Sequence, residues 1–104
     1  MPKYAMLTRL AAGAARSGHA LEELERRTVD RIRDECPEIE WLQSYAVFGR
    51  YDYLDVFEAP DNETAAKVAV LVRTVGHAQT ELWPLIEWDR FKGMLRKLKA
   101  PERE

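Results

Sequence analysis

This sequence of 104 residues predicts an α+β fold in the order strand, helix, strand, strand, helix, strand, with an extra C-terminal helix. Three observations predict it. Two segments carry apolar residues at helical spacing, several short segments are rich in aromatic and β-branched residues, and the middle two of these are separated only by "GRY". Elements in that order build a four-stranded antiparallel sheet with two helices on one face.

Lys3 to Arg9 is a short apolar-rich segment without a helix cap and reads as the first strand. The small residues of "AAGAARSGHA", Ala11 to Ala20, read as a loop. From Leu21, the residues Leu21, Leu24, Thr28 and Ile32 form one helical stripe. Glu22 with Arg26 and Glu23 with Arg27 stand four apart in the favourable acid-before-base order. Pro37 disfavours helical geometry at Cys36 and ends this helix near Glu35.

Trp41 to Phe48 and Asp52 to Glu58 are the two central strands, with Gly49 available for a positive φ in the turn. Side chains alternate along a strand, so Leu54 and Val56 point one way and Tyr53, Asp55 and Phe57 the other. The expectation is that Leu54 and Val56 lie under the helices. Tyr53 and Phe57 then occupy a bare face that a second subunit covers, making a homodimer through the sheet faces.

"APDNETAAKVAVLVRTVGH" reads as the second helix, with Asp61 or Asn62 as its cap, Gly76 at its end and a stripe of Ala65, Val68, Ala69, Val72 and Val75. His77 to Ile86 is the last strand, where Pro84 implies an edge or a strand end. Trp88, Phe91, Leu95 and Leu98 recur as a short C-terminal helix. One domain is expected over 1–100 with a frayed tail at 101–104. Together these elements follow the order of the ferredoxin-like fold.

Composition excludes several classes. A formal charge of −2 from 16 basic and 18 acidic residues gives no electrostatic footprint for nucleic acid. No segment is apolar enough for a membrane span and the N-terminus lacks a signal-type apolar run, so a cytoplasmic protein is expected. The lone Cys36 excludes an intramolecular disulfide and, at a helix C-terminus, is poorly placed as a nucleophile. No metal-ligand spacing and no glycine-rich phosphate loop occurs, so neither metal nor cofactor is expected.

The candidate chemistry centres on His77, whose imidazole suits proton transfer near neutral pH. A tyrosine nearby in the sheet, Tyr45, Tyr51 or Tyr53, could steady an enolate; alternatively, His77 caps the second helix. Asp52 directly after the turn reads as a turn aspartate. Asp55 beneath a partner sheet would need Arg9, Arg50 or a ligand to offset its desolvation. Trp41, Trp83 and Trp88 with Phe48 and Phe91 could line an apolar pocket or be core, and core is the expectation for Phe48 and Phe91. Gln79, Glu81 and Trp83 alternate onto one face with His77.

"GRYDYLDVFEAPDNETAAKVA", Gly49 to Ala69, resembles the signature of GYD-domain proteins, with Arg50 standing between Gly49 and Tyr51. The likeness extends through "ECPEIEWLQSYAVFG", "RTVGHAQTELWPLI" and "PKYAMLTRL". It implies a dimeric α/β barrel, an architecture shared with cofactor-independent monooxygenases, haem-degrading enzymes, polyketide cyclases and muconolactone-isomerase-like proteins. Shared architecture does not by itself carry over a reaction. Two expectations follow. One is a homodimeric binder of a small apolar or aromatic metabolite, in a pocket edged by His77, Tyr45, Tyr53 and Trp83, with Asp55, Tyr51 and Arg9 as further ligand-binding groups. The other is a cofactor-independent enzyme in which His77 acts as base and Tyr45 or Tyr53 polarises the substrate.

Overall fold

The structure, a computed structural model, describes residues 1–13 and 17–99. The expected tail at 101–104 and residues 14–16 of the expected loop lie outside the described residues. The elements are β1 (Lys3–Leu10), α1 (Gly18–Glu35), β2 (Glu40–Ala46), β3 (Tyr53–Glu58), α2 (Asn62–Val75), β4 (Ala78–Leu85) and α3 (Trp88–Lys97). The sheet runs β2-β3-β1-β4 with every neighbouring pair antiparallel, which is the ferredoxin-like order. β4 is an edge strand, and Pro84 sits near its end, where a missing amide is tolerated.

α1 begins three residues before the expected Leu21, because Ser17 caps it: its hydroxyl accepts the Ala20 amide at 3.1 Å. Leu24, Thr28 and Ile32 are buried along the expected stripe. α2 starts at the expected place, with the Asp61 carboxylate accepting the Thr64 amide at 2.8 Å. The Tyr4 hydroxyl donates to Asn62 Oδ1 at 2.5 Å and ties β1 to that first turn. Arg73 holds the other end, donating from Nε to Thr80 Oγ1 and from a terminal nitrogen to the Thr80 carbonyl, both at 2.8 Å.

At the end of α2, Gly76 keeps φ −84° and His77 takes the left-handed conformation, φ 51°. Glycine is required at 76 for close approach: a Cβ there would stand 2.6 Å from the Val72 carbonyl oxygen. The hairpin between β2 and β3 corrects another expectation. Its connection spans Val47 to Asp52, long enough that Gly49 needs no positive φ.

Which side of the sheet faces the helices is the main correction. Tyr4 pairs with Phe57, Met6 with Asp55 and Thr8 with Tyr53, and directly paired residues share a face. Tyr4, Met6 and Phe57 belong to the core cluster with Ile32, Cys36, Val68 and Val72, so this is the helix side. Tyr53, Asp55 and Phe57 therefore lie under the helices, and Leu54 and Val56 take the bare face. The physical reason is aromatic stacking: the fully buried Phe57 ring lies between Tyr4, centroids 5.8 Å apart, and Trp41, 5.4 Å apart.

The bare face carries Ala5 and Leu7 of β1, Leu54 and Val56 of β3, and Trp83 and Leu85 of β4, with Tyr45 of β2 beside Leu54. Phe48 is wholly exposed in the hairpin, against its expected core role, because the long connection carries it clear of both layers. Phe91 is only half-buried, stacked on Trp88 at 5.8 Å within α3. α3 buries none of its residues, and the radius of gyration of 17.0 Å exceeds the roughly 13 Å of a compact chain this long. No helix among the described residues is long and apolar enough to cross a membrane.

Candidate functional site: a cleft between the first helix and the sheet

A cleft of about 310 Å³ opens between α1 and the helix side of the sheet, within the size range of small-ligand pockets. α1 supplies Leu21, Leu24, Glu25, Thr28, Val29 and Ile32; β1 supplies Met6, Thr8 and Leu10. Tyr53 and Asp55 come from β3, and Trp41, Ser44, Tyr45 and Ala46 from the edge strand β2. A second groove of about 400 Å³ shares Glu25, Val29, Ile32, Trp41 and Ser44 and runs on past Arg33, Cys36 and Ile39.

The register explains the polar groups. β2 slips against β3 between Trp41 and Gln43, so Trp41 and Ser44, three apart, both face the cleft opposite Phe57 and Asp55. The Trp41 indole donates to Ser44 Oγ at 2.7 Å. Asp55 sits beside this pair. Burial pushes its carboxyl above the ordinary range; Ser44 pulls it back, Glu25 across the cleft pushes it up, and the Trp41 indole pulls it down. Burial, with Asp52, Glu25 and Asp55, likewise raises the Tyr53 hydroxyl and keeps it neutral. No described salt bridge includes Asp55 or Glu25.

Because the folded pKa of Asp55 lies above its unfolded value, ionisation opposes folding. That penalty is full above the folded pKa and is relieved as pH falls toward the unfolded pKa. Asp55→Asn is therefore expected to raise the melting temperature at pH 7, with a gain over wild type that shrinks as pH falls through the folded pKa of Asp55. Paired thermal melts across an acidic pH series measure this. A gain that grew on acidification would show the carboxylate to be favourably held.

The other residues singled out in the sequence are dispersed. Tyr45, on the edge strand, lines the cleft although its strand partner Leu54 lies on the bare face, whereas Trp83 and Arg9 lie on strand positions of that bare face. There Glu81 accepts from the Trp83 indole at 3.0 Å and from the Tyr51 hydroxyl, and the Tyr51 bond, with a smaller effect from Trp83, holds the Glu81 carboxyl low. His77 is exposed at the end of α2 and lines neither cavity; its carbonyl accepts the Ala11 amide at 3.1 Å. Of His77, Tyr45, Tyr53 and Trp83, Tyr45 and Tyr53 line the cleft, while His77 and Trp83 are not among its described lining residues. Asp52 is structural, but its carboxylate bonds the Leu10 amide of β1 at 2.8 Å rather than a turn amide. Cys36 is buried, and burial raises its thiol, which leaves it unreactive. Among the described residues no group of His, Cys, Asp and Glu could hold a metal ion.

Glu25 and Ser44 were not visible as site residues in the sequence. Glu25 did leave a signal, since it lies four residues from both Leu21 and Val29, an acid on the apolar stripe of α1. Ser44 left none, because the slip in register that turns it inward is set by the pairing of β2 with β3.

The GYD domain family matches residues 4–95. Among solved structures, the fold is similar to FFRP-DM1, with a TM-score of 0.53, 22% identity, and 83% of this chain and 100% of that one covered. It is also similar to the leucine response regulatory protein LrpA of Mycobacterium tuberculosis, with a TM-score of 0.52 and 10% identity. There 83% of this chain aligns with 51% of the regulator, so the chain spans about half its length. At these identities the likeness is one of fold. A search of curated proteins finds no match.

Proposed function

The chain belongs to the GYD domain family, and from that premise we propose that it is a homodimeric binder of a small apolar or aromatic metabolite, held between α1 and the sheet. The observation that supports this reading is the cleft itself: apolar walls from Leu21, Leu24, Val29, Ile32 and Met6 surround a few convergent polar groups, Asp55, Ser44 and Tyr53. The dimer is supported by the bare face, where Trp83 is 47% and Tyr45 49% exposed beside Leu7, Leu54 and Val56. The exposed apolar side chains of α3, which have no cover among the described residues, add to it.

Proton abstraction by His77 gains no support from its exposed position outside the cleft that Tyr45 and Tyr53 line. The binding reading needs no such convergence.

Thermal-shift screening with aromatic and quinone-like metabolites tests it, using wild type, Ala46→Phe to fill the cleft and Trp83→Ala on the other face. A ligand at a hundred times its Kd adds about 2.7 kcal/mol of stability. The expected result is a shift in wild type and Trp83→Ala that Ala46→Phe abolishes. A shift that survives Ala46→Phe and disappears in Trp83→Ala would move the site to the bare face.

A further inference from the structure

We propose that this cleft selects a small organic cation, a protonated primary amine on an apolar or aromatic body, over acids and neutral molecules of the same shape. The inference rests on reading the cleft as a ligand site and adds the charge of the ligand. Two carboxyl groups, Asp55 and Glu25, face the space, and no Lys, Arg or His stands among the described residues that line it. Neither carboxylate is neutralised by a described salt bridge. Asp55 is half-buried on the sheet, opposite Met6, where desolvation works against its charge. Arg9, one of the residues the sequence offered as its counter-ion, belongs to the other face of the sheet. Among the described residues the lining of this cleft thus holds no compensating positive charge, Arg33 standing in the adjoining groove, and a bound ammonium group would supply it.

The geometry suits that group on its other sides too. An ammonium on Asp55 makes charge-assisted hydrogen bonds, and Ser44 Oγ and the Tyr53 hydroxyl stand near as further oxygen acceptors. The aromatic rings of Trp41 and Tyr53 in the lining attract a cation placed over their faces. A ligand carboxylate would instead bring a third negative charge beside Asp55 and Glu25, in a site of reduced dielectric.

Three probes of nearly one shape separate the cases: 2-phenylethylamine, 2-phenylethanol and phenylacetate, titrated by calorimetry at pH 7 where the amine is protonated. The amine is expected to bind at least about tenfold more tightly than the alcohol, with no measurable binding of the acid. Asp55→Asn should bring the amine down to within about threefold of the alcohol. Glu25→Gln, at an exposed helix position, gives a second variant that tests the same charge without touching the sheet. Alcohol or acid binding as tightly as the amine would overturn the cation preference and leave the binding function standing. An amine advantage undiminished in both variants would also overturn it. If none of the three binds wild type, the cation preference is overturned, and the thermal-shift screen decides the binding function separately.

Discussion

Phe57→Ala is expected to cost about 3–5 kcal/mol of folding stability, the range for truncating a fully buried aromatic residue. Against the roughly 5–15 kcal/mol that holds a domain together, this is a large share of the total. The ring has no solvent exposure and stacks on both Tyr4 and Trp41, so its loss opens a cavity that three strands cannot close at once. Urea denaturation followed by circular dichroism measures it, with Phe57→Leu as the milder control. A loss below about 1 kcal/mol would place the ring at the surface, reversing the face assignment and removing Asp55 from the cleft with it.

Val56→Arg has the largest expected effect on assembly. Val56 lies mid-strand on the bare face, between Ala5 of β1 and Gln43 of β2. In a lone chain the guanidinium can reach water at little cost. Pressed between two sheets, it is a buried charge without a partner, which costs about 3 kcal/mol or more, roughly a hundredfold in the dimer Kd. Analytical ultracentrifugation is expected to find wild type dimeric and the variant monomeric at micromolar concentration, both folded. A variant that stays dimeric would exclude this face as the interface and point to the exposed stripe of α3 instead.

Much of the fold was legible because its signals are local. Ala65, Val68, Ala69 and Val72 bury the stripe that their spacing marks, and Asp61 caps α2 as its residue type and place suggest. The sheet order follows from strand number and short connections, without knowledge of any contact. Ser17 shows the limit of such reading: the small residues around it concealed a cap that lengthens α1 by a turn.

The site was less legible because it depends on choices between equivalent local patterns. Tyr53-Asp55-Phe57 and Leu54-Val56 are both bulky sets, and alternation separates them without saying which is inside. Asp55 was singled out as a carboxylate needing a partner, and on the helix side it meets the Ser44 hydroxyl and, across the cleft, a second acid in Glu25 rather than a cation. His77 was attractive for its chemistry, yet the turn that ends α2 directs it to solvent.

From the sequence alone came the number and order of elements, their caps and stripes, the lack of a basic footprint and the absence of metal-ligand spacing, since each depends on residues close in the chain or on composition. Only the tertiary structure decided which sheet face meets the helices, where the slip in β2 falls, and that two carboxylates share one cleft. Those outcomes turn on packing between strands and helices distant in sequence, where Phe57 gains more by stacking between Tyr4 and Trp41 than on an open face.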